Sequence, residues 1–204
     1  MLPQLPWRRG DAGAWANYGC RVNHPDDVTE LALAAGCGDR AALSEFIRRT
    51  QSDVWRYVAR LSTPRVADDL TQETYLRVLA ALPAFEGRST ARVWLLAIAR
   101  RVVVDWVRHE SVRPQLAGDS WLEVVDSLRA VSHPSSSLEM EQLLGVLDRS
   151  RREALVLTQL LGFSYAEAAA ICGCAVGTIR SRVARARADL VAALAAQHSG
   201  DAVV

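Results

Sequence analysis

Three stretches of this chain carry side chains whose types and spacing can do chemistry. The first, ADDLTQETYLRVL from Ala67 to Leu79, holds Asp68, Asp69 and Glu73, carboxylates that suit a divalent cation or a basic protein surface. In the second, FEGRSTARVWLLAIARRVVVDWVRHESVR from Phe85 to Arg113, Trp94 lies among Arg88, Arg92, Arg100 and Arg101. An indole between guanidiniums is what a single nucleic-acid strand needs, because rings stack on bases and guanidiniums meet phosphates. The third, GFSYAEAAAICGCAVGTIRSRVARAR from Gly162 to Arg187, gathers Arg180, Arg182, Arg185 and Arg187 behind Thr178. That layout suits a DNA major groove.

The elements that must position these groups read as helices throughout. In the third stretch, Ser164 and Glu167 have capping-box spacing, and Ala166, Ala169 and Ala170 keep the first helix slim. Gly173 can end that helix in the left-handed conformation. Val176 then opens a second helix, whose Ile179, Val183, Ala186 and Leu190 recur at i, i+4, i+7 and i+11 as a stripe to be buried. Arg180, Ala184 and Arg187 lie on another face with Ser181 beside them, Arg182 and Arg185 flank it, and Gly177 permits close backbone approach. This is a helix-turn-helix pattern.

Upstream, helices are expected over 28–35, 40–61, 66–82 and 91–109, with Leu43, Ile47, Val54 and Val58 among the apolar positions of the second. Asp69, Gln72, Glu73 and Leu76 fall on one face of the third, while Tyr75, Val78, Leu79 and Leu82 are expected towards the core. Trp94, Ala97, Arg101, Asp105 and Arg108 share a face of the fourth. The loop of small residues from Glu86 to Ala91 can line a pocket for an unstacked base. No strand-like alternation occurs, so the expected fold class is all-α, in two small helical domains joined by a flexible linker.

The expected organisation is a tail over 1–26, a helical domain over 27–110, a linker over 111–137, a second helical domain over 138–198 and a tail over 199–204. Pro114, Gly118, Pro134 and the run from Ser135 to Ser137 mark the linker. Within the first tail, Trp7, Trp15 and Tyr18 offer aromatic surface.

Composition excludes several classes. A chain of 204 residues, 50% hydrophobic, can bury real cores, and a net charge of +1 is far from a histone-like coat. Every one of its 24 basic Lys or Arg residues is arginine, a flat fork suited to phosphates and guanine edges. No apolar run approaches the roughly 20 residues that span a bilayer, and no signal-peptide core opens the chain, so a cytoplasmic location without membrane insertion is expected. The four cysteines, Cys20, Cys37, Cys172 and Cys174, make neither a disulfide framework nor a zinc knuckle, and the incomplete set around His24 supports no metal. No cofactor is expected.

The residues leave blander readings open. The acidic face can be a solvated helix start in which Asp68 and Asp69 favour the helix dipole. Asp68, Asp69 and Glu73 can also be read as magnesium ligands of a nuclease, although no histidine or lysine suited to the chemistry accompanies them. Trp94 and Trp106 can be core residues, with Asp105 pairing Arg101 and Arg108.

Taken in order, DDLTQETYLRVL, then FEGRSTARVWLLAIAR, a linker, GFSYAEAA and VGTIRSRVARAR resemble the bacterial extracytoplasmic-function sigma factors of the sigma-70 superfamily. The resemblance runs from about Leu31 to Leu194. It implies a non-enzymatic, dissociable subunit that recruits core RNA polymerase to promoters, with sigma region 2 and sigma region 4 as its helical domains. It implies that Asp69, Gln72, Glu73 and Leu76 contact the β′ clamp coiled coil. The −10 element would be recognised and held melted by Arg88, Ser89, Thr90, Arg92, Trp94, Arg101 and Arg108. Region 4 would dock on the β flap and set Gly177, Thr178, Arg180, Ser181, Arg182, Ala184 and Arg185 against the −35 element. An anti-sigma factor is a further candidate partner.

Three positions depart from the family pattern. Arg101 stands where asparagine is frequent, Ala184 is small for a base contact, and Asp148 replaces a proline in the lead-in to region 4. A stand-alone helix-turn-helix regulator is the alternative. It uses only residues 138–198 and leaves the Asp69 face and the Trp94 loop without a role.

Overall fold

The computed structural model describes residues 26–112 and 143–200. The tail with Trp7, Trp15, Tyr18, Cys20 and His24, residues 113–137 of the linker expected over 111–137, and residues 138–142 and 201–204 lie outside the described residues.

Local chemistry starts each helix. Asp26 caps α1 (Asp27–Gly36) by accepting the Thr29 N–H at 2.7 Å. Asp39 caps α2 (Arg40–Leu61) through the Ala41 and Ala42 N–H groups. Pro64 opens α3 (Pro64–Ala81) at a position where its missing donor costs nothing. A short 3₁₀ turn over Leu82–Ala84 and a loop lead into α4 (Ala91–Val112). The expected helices are all present. The third starts two residues earlier than its periodicity suggests, because proline is tolerated in a first turn.

Asp148, the residue in place of the family's proline, acquires a definite job. Its carboxylate accepts the Arg151 N–H at 3.0 Å and so caps α5 (Arg149–Leu155). That backbone bond, with the Ser150 hydroxyl, lowers the Asp148 carboxyl below its ordinary value. α5 widens into a π turn over Val156–Leu160. The capping box of Ser164 and Glu167 then starts α6 (Tyr165–Cys172), each partner holding the other's backbone N–H. Gly173 ends it at φ +64°, a conformation that glycine adopts without steric cost. α7 (Val176–Gly200) completes the set. Among the described residues there is no strand, and no helix is long and apolar enough to cross a membrane.

Phe46, Val54, Tyr57 and Val58 of α2, with Val78 of α3 and Leu95, Leu96, Val102 and Val103 of α4, form the buried centre of the first helical unit. The expected stripe of α7 is buried at Ile179, Val183 and Ala186, while Leu190 is only partly covered. The two units do not keep separate cores. α4 packs against α6, and one cluster of buried side chains runs from Phe46 and Val102 to Leu157, Ala169 and Ile179.

Candidate nucleic-acid interface

The helix-turn-helix delivers its polar side outward. With Ile179, Val183 and Ala186 facing in, geometry leaves Gly177, Arg180, Ser181, Ala184 and Arg185 exposed on α7. Thr178 and Arg182 are half-buried. Ser181 donates its hydroxyl proton to the Thr178 carbonyl at 3.0 Å, and an Arg182 nitrogen rests 4.0 Å from the Cys174 sulfur. Arg187 is drawn aside to the Gln159 amide oxygen at 2.9 Å, bracing α7 against the π turn. The exposed set of the expected residues is therefore Gly177, Arg180, Ser181, Ala184 and Arg185.

The loop before α4 is ordered by its own side chains. Phe85 packs against Trp94, ring centroids 4.7 Å apart. Trp94 is half-buried, so it combines a core contact with an accessible edge. Gly87 turns the loop at φ +68°, and Arg88 pairs with Glu86 within it. The Thr90 carbonyl accepts the Trp94 N–H at 3.1 Å. Ser89 and Thr90 are half-buried, whereas Arg88 is exposed.

Further along α4 an arginine of a neighbouring helix reaches Asp105. Arg77 of α3 binds Asp105 at 2.9 Å and also holds Glu73 at 2.8 Å. Burial lowers the Arg101 guanidinium from its ordinary value, with the neighbouring Arg100 charge adding to the effect.

Arg92 and Arg100 turn to the second helical unit. Arg92 bonds Asp53 of α2 at 2.5 Å, and its guanidinium carbon sits 4.9 Å from the Phe163 ring centroid. Arg100 donates to Glu153 at 2.9 Å, and the Tyr57 hydroxyl donates to the same Glu153 oxygen at 2.7 Å. Glu153 is only 7% exposed, and one of its carboxylate oxygens accepts two donors from the other unit. Burial works against the Arg100 charge, but Glu153 and Tyr57 outweigh it and raise the guanidinium. Nothing in the sequence pattern pointed to Glu153 or Tyr57.

Burial, helped by the Glu153 charge, pushes the Tyr57 hydroxyl well above its ordinary value, and burial likewise raises the Cys172 thiol. Both groups hold their protons more tightly folded than unfolded. The unfolded chain releases them first, so stability is complete below the unfolded values and falls as pH rises. The decline begins near about 8.5 for Cys172 and about 10 for Tyr57. Denaturant melts across this range should show the midpoint dropping, and Cys172→Ala should remove the earlier part of the slope.

The face read as a protein contact stands on the outside of α3. Asp69 and Gln72 are exposed, Glu73 is half-buried, and Leu76 is 58% exposed. Leu79, expected in the core, is instead 40% exposed, because Val78 and Leu82 already fill the buried side. Trp55 of α2, which the sequence reading passed over, extends the apolar surface at 41% exposure and donates its indole N–H to Asp68 at 2.8 Å. With Asp68 held by Trp55 and Glu73 by Arg77, two of the three carboxylates of the nuclease reading are engaged by protein donors. Among the described residues no group of three or more His, Cys, Asp and Glu is placed to hold a metal.

Comparison with known proteins agrees with this geometry. The family described as Sigma-70 region 2 matches residues 46–113, and the family described as Sigma-70, region 4 matches residues 137–190. The chain is 54% identical over 166 residues to the ECF RNA polymerase sigma factor SigC of Mycobacterium tuberculosis, covering 81% of this chain and 90% of the relative. It is 31% identical to the ECF RNA polymerase sigma-E factor of Escherichia coli, covering 74% and 85%. Among solved structures, CnrH in complex with the cytosolic domain of CnrY superposes at a TM-score of 0.66 and 27% identity, over 84% of this chain and 99% of that one. The sigma factor RpoE of Bartonella quintana, in complex with the anti-sigma factor NepR, gives 0.60 and 31%, over 72% and 93%. The outward arginines of α7, the loop before the Trp94-bearing helix and the acidic–apolar face all lie within the two matched regions, and this chain belongs to the extracytoplasmic-function sigma factors of the sigma-70 family, the subunits that direct RNA polymerase to promoters.

Proposed function

We propose that residues 27–110 hold core polymerase and the melted −10 element, and that residues 138–198 read the −35 element. The polymerase contact is the α3 face of Asp69, Gln72, Glu73 and Leu76, set against the β′ subunit, with Trp55 and Leu79 continuing it. The −10 strand is taken by the loop and helix bearing Arg88, Ser89, Thr90, Arg92, Trp94, Arg101 and Arg108. Duplex DNA at −35 meets Arg180, Ser181, Ala184 and Arg185, with Gly177, Thr178 and Arg182 at its edge, while region 4 docks on the β subunit. The observation that carries this reading is the outward side of α7, exposed at Arg180, Ser181, Ala184 and Arg185 behind a seam buried at Ile179, Val183 and Ala186. The chain acts without catalysis of its own, in the cytoplasm. The Bartonella quintana relative is bound to an anti-sigma factor, and a protein of that kind is the regulatory partner proposed here.

In the packed arrangement Arg92 and Arg100 are occupied by Asp53, Phe163 and Glu153. Engaging a DNA strand along that side of α4 requires the two helical units to part. The stand-alone regulator is set aside, since it leaves the matched region 2 without a role.

Transcription with core polymerase on a promoter library tests the proposal. Specific start sites that depend on the chain support it, and failure both to bind core and to alter transcription overturns it. Asp69→Arg should weaken core binding, by about tenfold for a reversed charge at a contact rim. Its exposure means that the melting temperature should hold. A pull-down titration with core polymerase reads the difference.

A further inference from the structure

We infer that Thr29 of α1 is a positioning residue for promoter recognition: its buried hydroxyl sets where the loop of residues 86–90 ends and α4 begins. Thr29 is 1% exposed, and its Oγ1 accepts the Ala91 N–H at 2.9 Å across 62 positions of sequence. Ala91 itself is 0% exposed. Its N–H is one of the four that the start of a helix leaves without an internal partner. Thr90 provides the local cap, accepting Trp94 N–H through its carbonyl and, at 3.4 Å, Val93 N–H through its hydroxyl. The first amide of α4 is satisfied from a different element.

The rest of the loop is referenced to the same helix. A Cβ on Gly87 would sit 3.5 Å from a Leu33 methyl, so the loop's turn lies over α1. Thr29 is in turn held by Asp26, whose carboxylate accepts its N–H at 2.7 Å. Asp26, Thr29 and Ala91 form a chain of contacts ending at the loop, and Leu33 supports its middle. Removing the hydroxyl buries the Ala91 N–H without a partner and frees the junction between loop and helix. Recognition of an unstacked base depends on small displacements of such a loop, while the α3 face lies on another element. The effect should therefore fall on base discrimination and spare polymerase affinity.

This inference rests on the assignment of the loop to the −10 strand. The test compares wild type, Thr29→Val and Thr29→Ser as full chains assembled with core polymerase. Three quantities are read: amide exchange over residues 86–91, core affinity, and binding to single-stranded oligonucleotides. The oligonucleotide is the segment that wild-type holoenzyme selects from a random pool, with its single-base variants. Thr29→Val should speed exchange at Ala91 by about tenfold, the worth of one buried hydrogen bond. It should also shrink discrimination between bases by several-fold at unchanged core affinity, and Thr29→Ser should restore both. Wild-type exchange in Thr29→Val overturns the positioning role. A loosened loop with intact discrimination overturns the assignment of the loop to the strand, and the inference with it. Parallel loss of core affinity reduces Thr29 to general packing and overturns it as well.

Discussion

Glu153→Ala is expected to loosen the contact between the two helical units by about 2–3 kcal/mol. Removing one partner of a buried ion pair typically costs roughly 3–5 kcal/mol because the other charge is left unpaired. Here the loss is smaller, since the Arg100 side chain keeps 30% of its exposure against 9% for Glu153. Tyr57 adds to the cost, because its hydroxyl loses the acceptor at 2.7 Å in a fully buried position. Cys172 supplies a native reporter: its thiol is 6% exposed and feels the charges of Glu153 and Arg100. Residue-resolved thiol labelling should show Cys172 reacting roughly 30- to 150-fold faster in the variant, the same free energy expressed as an opening equilibrium. Cys37, exposed in the first unit, serves as the internal control. Glu153→Gln keeps an acceptor for Tyr57 and should give a smaller change. Labelling of Cys172 at the wild-type rate in Glu153→Ala would show that the apolar packing around Phe163 and Ile171 holds the units together without the ionic cluster.

Arg180→Ala is expected to cost about 1–3 kcal/mol at a single −35 position, the value of one bidentate contact to a base edge. Arg180 is exposed, next to the fully buried Ile179, so the substitution should leave folding within about 0.5 kcal/mol. Transcription or binding by the holoenzyme across all single-base −35 variants reads the result. A penalty confined to one position assigns Arg180 to a base. A uniform loss, with the salt slope reduced by about one, assigns it to a phosphate. Ala184, one turn further on, offers only a methyl, so Ala184→Gly should change little at any position. Arg187, by contrast, is anchored to Gln159 at 2.9 Å, and its loss should register as weaker bracing of α7.

Most of the fold was legible because its signals are local. Capping-box spacing at Ser164 and Glu167, a glycine at the end of α6 and the i, i+4, i+7 stripe of α7 each act within a turn or two. The same locality explains what the pattern leaves out. Leu79 shares the apolar character of Val78, and only the position of α3 on its neighbours leaves it 40% exposed. The Arg77 bond to Asp105 joins two different helices, so no period along either one announces it.

The sequence by itself determined the helices, their ends, and which polar residues α7 must turn outward, since backbone hydrogen bonding and side-chain period are properties of neighbouring residues. Only the tertiary structure decided what those surfaces meet: Arg92 against Phe163, Glu153 beneath Tyr57 and Arg100, Trp55 on Asp68, and Thr29 at the first amide of α4. An apolar period states that a face will be buried and leaves open which face covers it. Partners as far apart as Tyr57 and Glu153 are chosen by how the whole set of helices packs, a choice made by shape and by the cost of leaving a buried charge alone.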